Sequence, residues 1–558
     1  MRALRHVERP APGADARVLR PRSLVTVDPT IDSADEPAVL VVGSHIAAVG
    51  SLAHCTDRAR DLGRGAVEEE VLDGVLLPGF VDPHAHPLMY GQLMSWVDCG
   101  PDRAGSIPEI VALLKEAARQ APTGAAIRGY GYEHRNLVER RHPHRRELDE
   151  VARDRAVYLM NASGHGGVVN THTLDANGIT AGSCNPPGGT FFRDEDGELT
   201  GEISDAACDI LTGVSGVKVG RHGPNFHLSD APAEHQRQLI AAQQRFLSAG
   251  VTTVGDAQVT SRELEAYLRM VDADDLEMRV SLYFLSNLLE QVLDLGMRRP
   301  FGNARLAFAG TKLYADGTLG GWTAYFPDGY AGDPCRTGQL YHEPDEYAAL
   351  VSRAHAAGIQ TATHAQSPNA IGMVIDAIET AQRTTPRPDP RHRIEHCGLP
   401  SLPQIAKMAE LGVHPVSQPQ HSFNWGEGVV DAIGPAGERF NPLGQFVSRG
   451  VPVALSSDAP VADPLPLQAI QAAVTRVTRR GRRLGDDSLR LDVNAAITGH
   501  TLGGARALGR EQELGTITPG KRADLTLLDE HPAQVRPERI ADIAVLGTWV
   551  DGALRHRP

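Results

Sequence analysis

The stretch that most constrains this chain runs from Val75 to Pro87, an apolar run that closes on His84 and His86 with one residue between them. Side chains of an extended strand alternate between its two faces, so both imidazoles project to the same side. Paired imidazoles at the end of a buried strand suit a divalent metal, because neutral imidazole is a ligand for zinc and its neighbours. A strand carrying two surface histidines reads the same way in isolation. The runs downstream decide between the two.

Eight runs have strand character: Phe80–His86, Val251–Ala257, Arg279–Leu285, Leu306–Lys312, Ile359–His364, His392–His396, Val413–Gln418 and Pro452–Asp458. Most are separated by helix-like stretches such as Glu343–Ala357 and Pro400–Leu411. Strands alternating with helices imply a parallel sheet with crossover helices, and eight of them imply an α/β (β/α)8 TIM barrel. Five of the eight end in a potential ligand: His84 and His86 on the first, Lys312 on the fourth, His364 on the fifth, His396 on the sixth and Asp458 on the eighth. Such barrels build their active sites at the C-terminal ends of their strands.

The first crossover is much too long. Residues 90–249, roughly 160 of them against a usual βα connection of about 2 to 6, read as an inserted lid subdomain over the barrel mouth. It has strand-like runs of its own, Ala125–Tyr132 and Ala156–Asn161. Both termini carry β-like pieces: Ser23–Val27, a hairpin over Ala38–Gly50 and Glu69–Asp73 at one end, Leu514–Leu528 and Ile543–Gly552 at the other. Neither set suffices for a stable sheet alone. They are expected to pair as one small β-sandwich of residues 1–76 and 512–558, beside a barrel of residues 77–511.

A net charge of −14 with no dense basic run argues against a nucleic-acid surface, and the five arginines between Arg476 and Arg483 read as a solvated helix end. No stretch approaches the ~18 to 20 apolar residues of a membrane span. The first residues lack the apolar segment of a secretory leader, and residues 1–20 read as mobile. Six scattered cysteines without a CxxC pair fit free thiols in a reducing cytoplasm. Cys397 points away from His396 on a strand and reads as a core thiol.

The order HxH, Lys, His, His, Asp, together with the wording PGFVDPHAH, TKLYADGTLGGWTA, RIEHC and SSDAP, resembles the amidohydrolase superfamily in its branch with a bridging carboxylated lysine. Within it the chain is similar to the amidohydrolase-3 family, which includes N-substituted formamide deformylases, from about Leu72 to Leu528. The resemblance implies two divalent ions, zinc by expectation. One would be held by His84, His86 and Asp458, the other by His364 and His396, with a carbamate on Lys312 between them. A lysine ammonium has no lone pair to give, whereas a carbamate is a bidentate anion. A metal-activated hydroxide would then be the nucleophile, with Asp458 as both ligand and proton carrier.

His165, within Asn161–Asn170, resembles a family histidine that faces the substrate. Asp316 and Trp322 are expected as further substrate contacts, and Gly129–Glu133 lies near the mouth with its role open. Arg393 and Glu395 read as buried structural polar residues. His6, His45, His54, His142, His144 and His355 read as surface residues. Met89, Tyr90, Trp96, Trp322, Tyr325, Phe423 and Trp425 follow strand ends and suggest an apolar pocket, with core packing the alternative for Trp96 and Trp425.

The expected activity is therefore metal-dependent hydrolysis of a C–N bond, in an amide or N-substituted formamide with an apolar N-substituent. A deaminase or cyclic-imide hydrolase could use the same centre. A non-catalytic barrel should lack a ligand, and none of the six is missing. The expected partners are a small-molecule substrate and at most a second copy of the chain as a homodimer, with no nucleic acid and no membrane.

Overall fold

The computed structural model describes residues 15–31, 35–64, 67–212, 216–225, 230–298 and 301–558. Of the stretch read as mobile, residues 1–14, with His6, lie outside the described residues. All eight barrel strands form: β1 (Phe80–Ala85), β2 (Val251–Val259), β3 (Arg279–Leu285), β4 (Leu306–Tyr314), β5 (Gln360–Ala365), β6 (Arg393–His396), β7 (His414–Ser417) and β8 (Ala454–Leu455). Each pairs in parallel with the next. β1 and β8 share no ladder, but Asp458 N–H donates to His84 O at 2.9 Å and His86 N–H to Ala459 O at 2.7 Å. The ring therefore closes beside the histidines.

β1 and β2 are buried along their whole length, as strands covered on both faces must be. Gly255 lets β2 press against β1, since a Cβ there would lie 2.2 Å from Pro83 O. Helices Pro344–Ala356 and Leu402–Leu411 form where their periodicity placed them, the second opened by a Ser401 capping box and ended by left-handed Gly412.

The segment expected as the lid, 90–249, divides in two. Its last part, the helix Pro232–Ser248, buries Leu239, Ala242, Phe246 and Leu247 in the barrel's own core against Phe80 and Val254. That helix is the crossover returning the chain to β2. The inserted sheet occupies residues 97–205, with spatial order Gly189–Arg193, Leu199–Asp205, Gly166–Val169, Val157–Asn161, Ile127–Tyr132, Val97–Asp98. Helix Ile107–Gln120 covers it with Ile107, Ile110, Val111 and Leu114.

The two termini pair as expected, with Leu525–Leu528 antiparallel to Glu68–Pro78. The result is one continuous seven-stranded sheet. The turn after Val42 meets the far end, where Ala523 N–H donates to Ser44 O. Val39, Val41, Leu76, Leu525 and Trp549 fill the inside. Ala38, Leu40 and Val42, on the other face of the same strand, pack against helix Leu52–Asp61. Arg279 of β3 is fully buried and donates to Asp524 at 2.6 and 2.8 Å, fastening this sheet to the barrel.

Two surface expectations are corrected here. His355 is fully buried and bonds His392 at 2.8 Å, and His142 is half-buried, stacked on His134. Arg476 is no solvated helix end. It is buried and donates to Asn441 O, Phe440 O and Leu484 O, because it caps helix Pro466–Thr475 in a left-handed conformation. Among the described residues no helix is long and apolar enough to cross a membrane.

Candidate active site

Five ligand-type side chains converge at the C-terminal ends of β1, β5, β6 and β8. The ligand atoms of His84, His396 and Asp458 lie within 4.8 Å of one another. Asp458 Oδ1 sits 3.3 Å from His84 Nε2 and 3.2 Å from His86 Nε2. The rings of His364 and His396 are 4.5 Å apart. Asp458 and His396 both adopt positive φ, 61° and 67°, so each side chain turns inward as the chain leaves its strand.

Outer contacts fix which nitrogen each imidazole presents. His84 Nδ1–H donates to Glu395, leaving Nε2 toward Asp458. His396 Nδ1–H donates to Gln418 Oε1 at 2.7 Å, leaving Nε2. His364 Nε2–H donates to Gly317 O at 2.9 Å, leaving Nδ1. Such partners set tautomer and ring orientation in metal sites. Glu395 is itself gripped by Arg393, through bonds of 2.7 Å to both oxygens, and Arg393 also donates to Pro83 O. Both are buried, as expected from the sequence, and Glu395 in addition orients His84.

Burial holds His86 down at about 4 and His364 and His396 well below the ordinary imidazole value, so all three are neutral and carry no proton to expel. Burial alone would raise Asp458, but His84 and His86 outweigh it and keep the carboxylate ionised. Lys312 is the exception. It is fully buried, and its Nζ has no hydrogen-bond partner. Burial lowers it to about 8, with Glu395 and Asp458 only partly opposing. A buried amine without a hydrogen-bond partner, seated 4.6 Å over the ring of Tyr314, fits a donor set completed by a divalent metal, since a buried charge with no hydrogen bond is otherwise costly.

Above these groups lies a cavity of about 490 Å³, open solvent included, walled by His165 and Ser163 of the insertion, Thr318–Gly320, Gln366, His421 and the apolar Trp425, Val429, Phe440 and Val461. His165 reaches this cavity from the insertion. Its Nδ1 bonds Asp205 at 2.9 Å, and its ring lies 5.1 Å from that of His364. Tyr341 and Gln339 also donate to Asp205, so the histidine sits on a fixed base.

Asp316 and Trp322 are placed elsewhere. The Asp316 carboxylate accepts the N–H groups of Tyr325, Gln366 and Ser367 and is not among the walls of this cavity. Trp322 stacks on Tyr330, centroids 5.2 Å apart, away from the cavity wall. Their motif reaches the cavity through Thr318, Leu319 and Gly320 instead. Of the residues expected to form an apolar pocket only Trp425 lines it, while Met89 and Trp96 pack beneath the inserted sheet. Cys397 is a buried core thiol against Met408.

The sequence model of the amidohydrolase family matches residues 73–556. The chain belongs to the amidohydrolase family. It is 30% identical over 535 residues to an N-substituted formamide deformylase of Arthrobacter pascens, covering 93% of this chain and 94% of that one. It is 27% identical over 502 residues to a putative amidohydrolase of Bacillus subtilis, covering 88% and 91%. The fold matches a crystal structure of an uncharacterized metal-dependent hydrolase from Pyrococcus horikoshii with a TM-score of 0.73 at 23% identity, over 94% of this chain and 99% of that one. As an amidohydrolase, the chain is a metal-dependent hydrolase acting on C–N bonds of small molecules, with a divalent-metal centre.

Proposed function

We propose that this amidohydrolase cleaves an amide or N-substituted formamide with an apolar N-substituent, using two divalent ions, zinc by preference. His84, His86 and Asp458 would hold one ion and His364 and His396 the other, with Lys312 carboxylated to bridge them. The observation that carries the two-ion reading is the Nζ of Lys312, fully buried, without a hydrogen-bond partner and lowered to about 8. A lowered amine is more often neutral, as reaction with CO₂ requires. The N-substituted formamide reading is supported by the Arthrobacter relative and by the Trp425, Val429 and Phe440 wall.

When bound, the ions supply Lewis-acid activation of water and of the scissile carbonyl. The chain's own residues do the rest. Glu395, Gln418 and Gly317 O hold His84, His396 and His364 so that the other ring nitrogen of each is the one available to a ligand. Asp458 takes a proton at its carboxylate from the attacking water and returns it to the departing nitrogen. His165, oriented by Asp205, donates to a substrate oxygen or nitrogen from the lid side. The apolar wall excludes water around the reacting bond. The inserted sheet acts as the lid. Six free cysteines support a cytoplasmic setting, and a homodimer is compatible with it.

Elemental analysis and mass spectrometry of the intact protein, followed by a panel of N-formyl and N-acyl amines, test the proposal. Two ions per chain, a 44-dalton adduct on Lys312 and turnover of N-substituted formamides are the expected results. One ion with an unmodified Lys312 refutes the bridged centre, and turnover confined to aminopurines or cyclic imides refutes the substrate class.

A further inference from the structure

A second cavity of about 370 Å³, open solvent included, adjoins the first at Ser163, His165 and Thr318, which wall both. The inserted strand Leu199–Asp205 supplies Glu202 and Ser204 to it, and the loop after β4 supplies Thr323 and Arg336. Glu202 and Ser204, two apart on one strand, share a face. Ser204 is only 8% exposed, and its hydroxyl has no hydrogen-bond partner. The Glu202 carboxyl is mostly buried, and among the described residues its one basic neighbour is His142 Nε2 at 3.6 Å, in a ring that burial above all holds down at about 3 and so neutral. Arg336 donates Nε and Nη2 to the carbonyls of Trp322 and Gly321, at 3.1 and 2.9 Å, and among the described residues it pairs with no carboxylate. A carboxyl and a guanidinium on one small cavity would ordinarily close into an ion pair. Both are pinned instead. Glu202 stands in mid-ladder opposite Val168, and Arg336 is held by its two carbonyls between the rings of Phe192 and Trp322. The cavity therefore offers an unpaired donor, an unpaired acceptor and a hydroxyl that can serve as either.

We propose that this cavity is a side pocket for a carboxamide on the substrate, whose oxygen accepts from Arg336 and whose NH₂ donates to Glu202, with the Ser204 hydroxyl completing either bond. This rests on the amide reading above. A formyl carbon carries only hydrogen, so in a formamide the carboxamide branches from the N-substituent. That substituent divides between the apolar wall of Trp425, Val429 and Phe440 and the side pocket, as the N-formyl amide of an apolar amino acid would. A carboxylate in the same place has no hydrogen to give Glu202. Burial pushes Glu202 up to about 7 against the pull of Arg336, and a carboxamide, with a donor edge and an acceptor edge, matches the group in either protonation state. Polar groups left unpaired in burial cost stability until a ligand supplies their bonds.

The test reads binding without turnover, on the metal-loaded full chain, with methanesulfonamides in place of formamides because sulfonamides resist hydrolysis. Calorimetry compares the N-methanesulfonyl derivatives of phenethylamine, phenylalaninamide and phenylalanine. A bond to a charged group implies about tenfold or more tighter binding for the carboxamide than for the unbranched ligand, with no gain for the carboxylate. Glu202→Leu removes the acceptor and Arg336→Met the donor. Each should erase the gain while leaving the phenethylamine derivative within about twofold of the parent. Thermal unfolding establishes that each variant folds, and Glu202→Leu, which breaks no hydrogen bond of the carboxyl, carries the test where Arg336→Met does not fold. Equal affinity of the parent for the carboxamide and the unbranched ligand, a preference for the carboxylate, or a gain that survives in the folded variants overturns the side pocket. Failure to hydrolyse N-formylphenethylamine and N-formylphenylalaninamide counts against the amide reading alone, because the binding comparison does not depend on it.

Discussion

Replacing Glu395 by Gln tests how far the centre depends on a residue that need touch no metal. Glu395 uses both oxygens: one accepts from Arg393 Nε, the other from Arg393 Nη2 and from His84 Nδ1. A carboxamide of the same shape keeps one oxygen but presents an NH₂ where an acceptor stood, so at least one donor meets a donor. Arg393 cannot compensate. It is fully buried, its Nη1 already lacks a partner, and its only other support is Pro83 O and the face of Tyr283. Removing one partner of a buried pair costs about 3–5 kcal/mol, and an unsatisfied buried donor alone about 1–3 kcal/mol, so a loss of about 3 kcal/mol in the metal-free protein is expected. His84 also loses the bond that fixes its tautomer, which in metal sites lowers affinity about 10- to 100-fold. Urea unfolding of the metal-free protein reads the first quantity, and competition with a chromophoric chelator reads the second. A variant with the parent's urea midpoint and the parent's metal affinity would refute the argument that Glu395 holds His84 in place.

Asp458→Asn keeps the side chain's shape and an oxygen for the metal but cannot carry a proton; kcat should fall at least about a hundredfold while at least one ion is retained, and near-normal turnover would route the proton elsewhere. His165→Ala should lower turnover with metal content unchanged, since the ring reaches the cavity from the insertion and is positioned by Asp205; full activity on the true substrate would make it structural. At the opposite end of the barrel, His392 accepts from Thr361 N–H and donates to His355, which donates on to Thr385 O, so both rings are neutral as hydrogen-bonded. Burial, then His355 and Arg387, lowers His392 to about 3. Below an unfolded value of about 6.5 the unfolded chain therefore binds the extra proton, and stability falls as pH drops from 6.5 toward 3, by about 2.7 kcal/mol at pH 4.5. His392→Gln should flatten that dependence in pH-resolved urea melts, and an unchanged slope would exclude His392 as its source.

The barrel was legible because each strand carries its own evidence. β-branched and apolar runs bounded by helical periodicity locate all eight, and β3 agrees to the residue with Arg279–Leu285. The six candidate ligands stood out for a related reason, since barrels present strand ends and the residue types at those ends are unusual. Strict alternation failed at one place, and the cause is local. On β6 it separates Arg393 and Glu395 from His396, so the carboxylate appeared to leave the site. The backbone instead turns left-handed at His396 and Cys397, with φ of 67° and 48°. That turn brings His396 to the barrel mouth while Glu395, one residue earlier, points into the barrel interior and meets His84 across it. A pattern of period two cannot register a change of backbone handedness within its own last two residues.

The rest of the site depends on distance along the chain rather than on pattern. Asp205, Gln339 and Tyr341 hold His165 from segments 40 to 176 residues away, and no spacing rule links them. Val429 and Phe440 wall the cavity from a helix and loop beyond β7, where neither follows a strand end closely enough to attract notice. Asp316 and Trp322 show the converse error. Each lies within a motif that does reach the cavity, but a carboxylate surrounded by three backbone N–H groups is already fully used in shaping the turn. Its work is to hold Gln366 and Ser367 where β5 ends, two residues beyond His364. Motif membership marks the neighbourhood of a site, whereas free lone pairs and open space decide which of its members can meet a substrate.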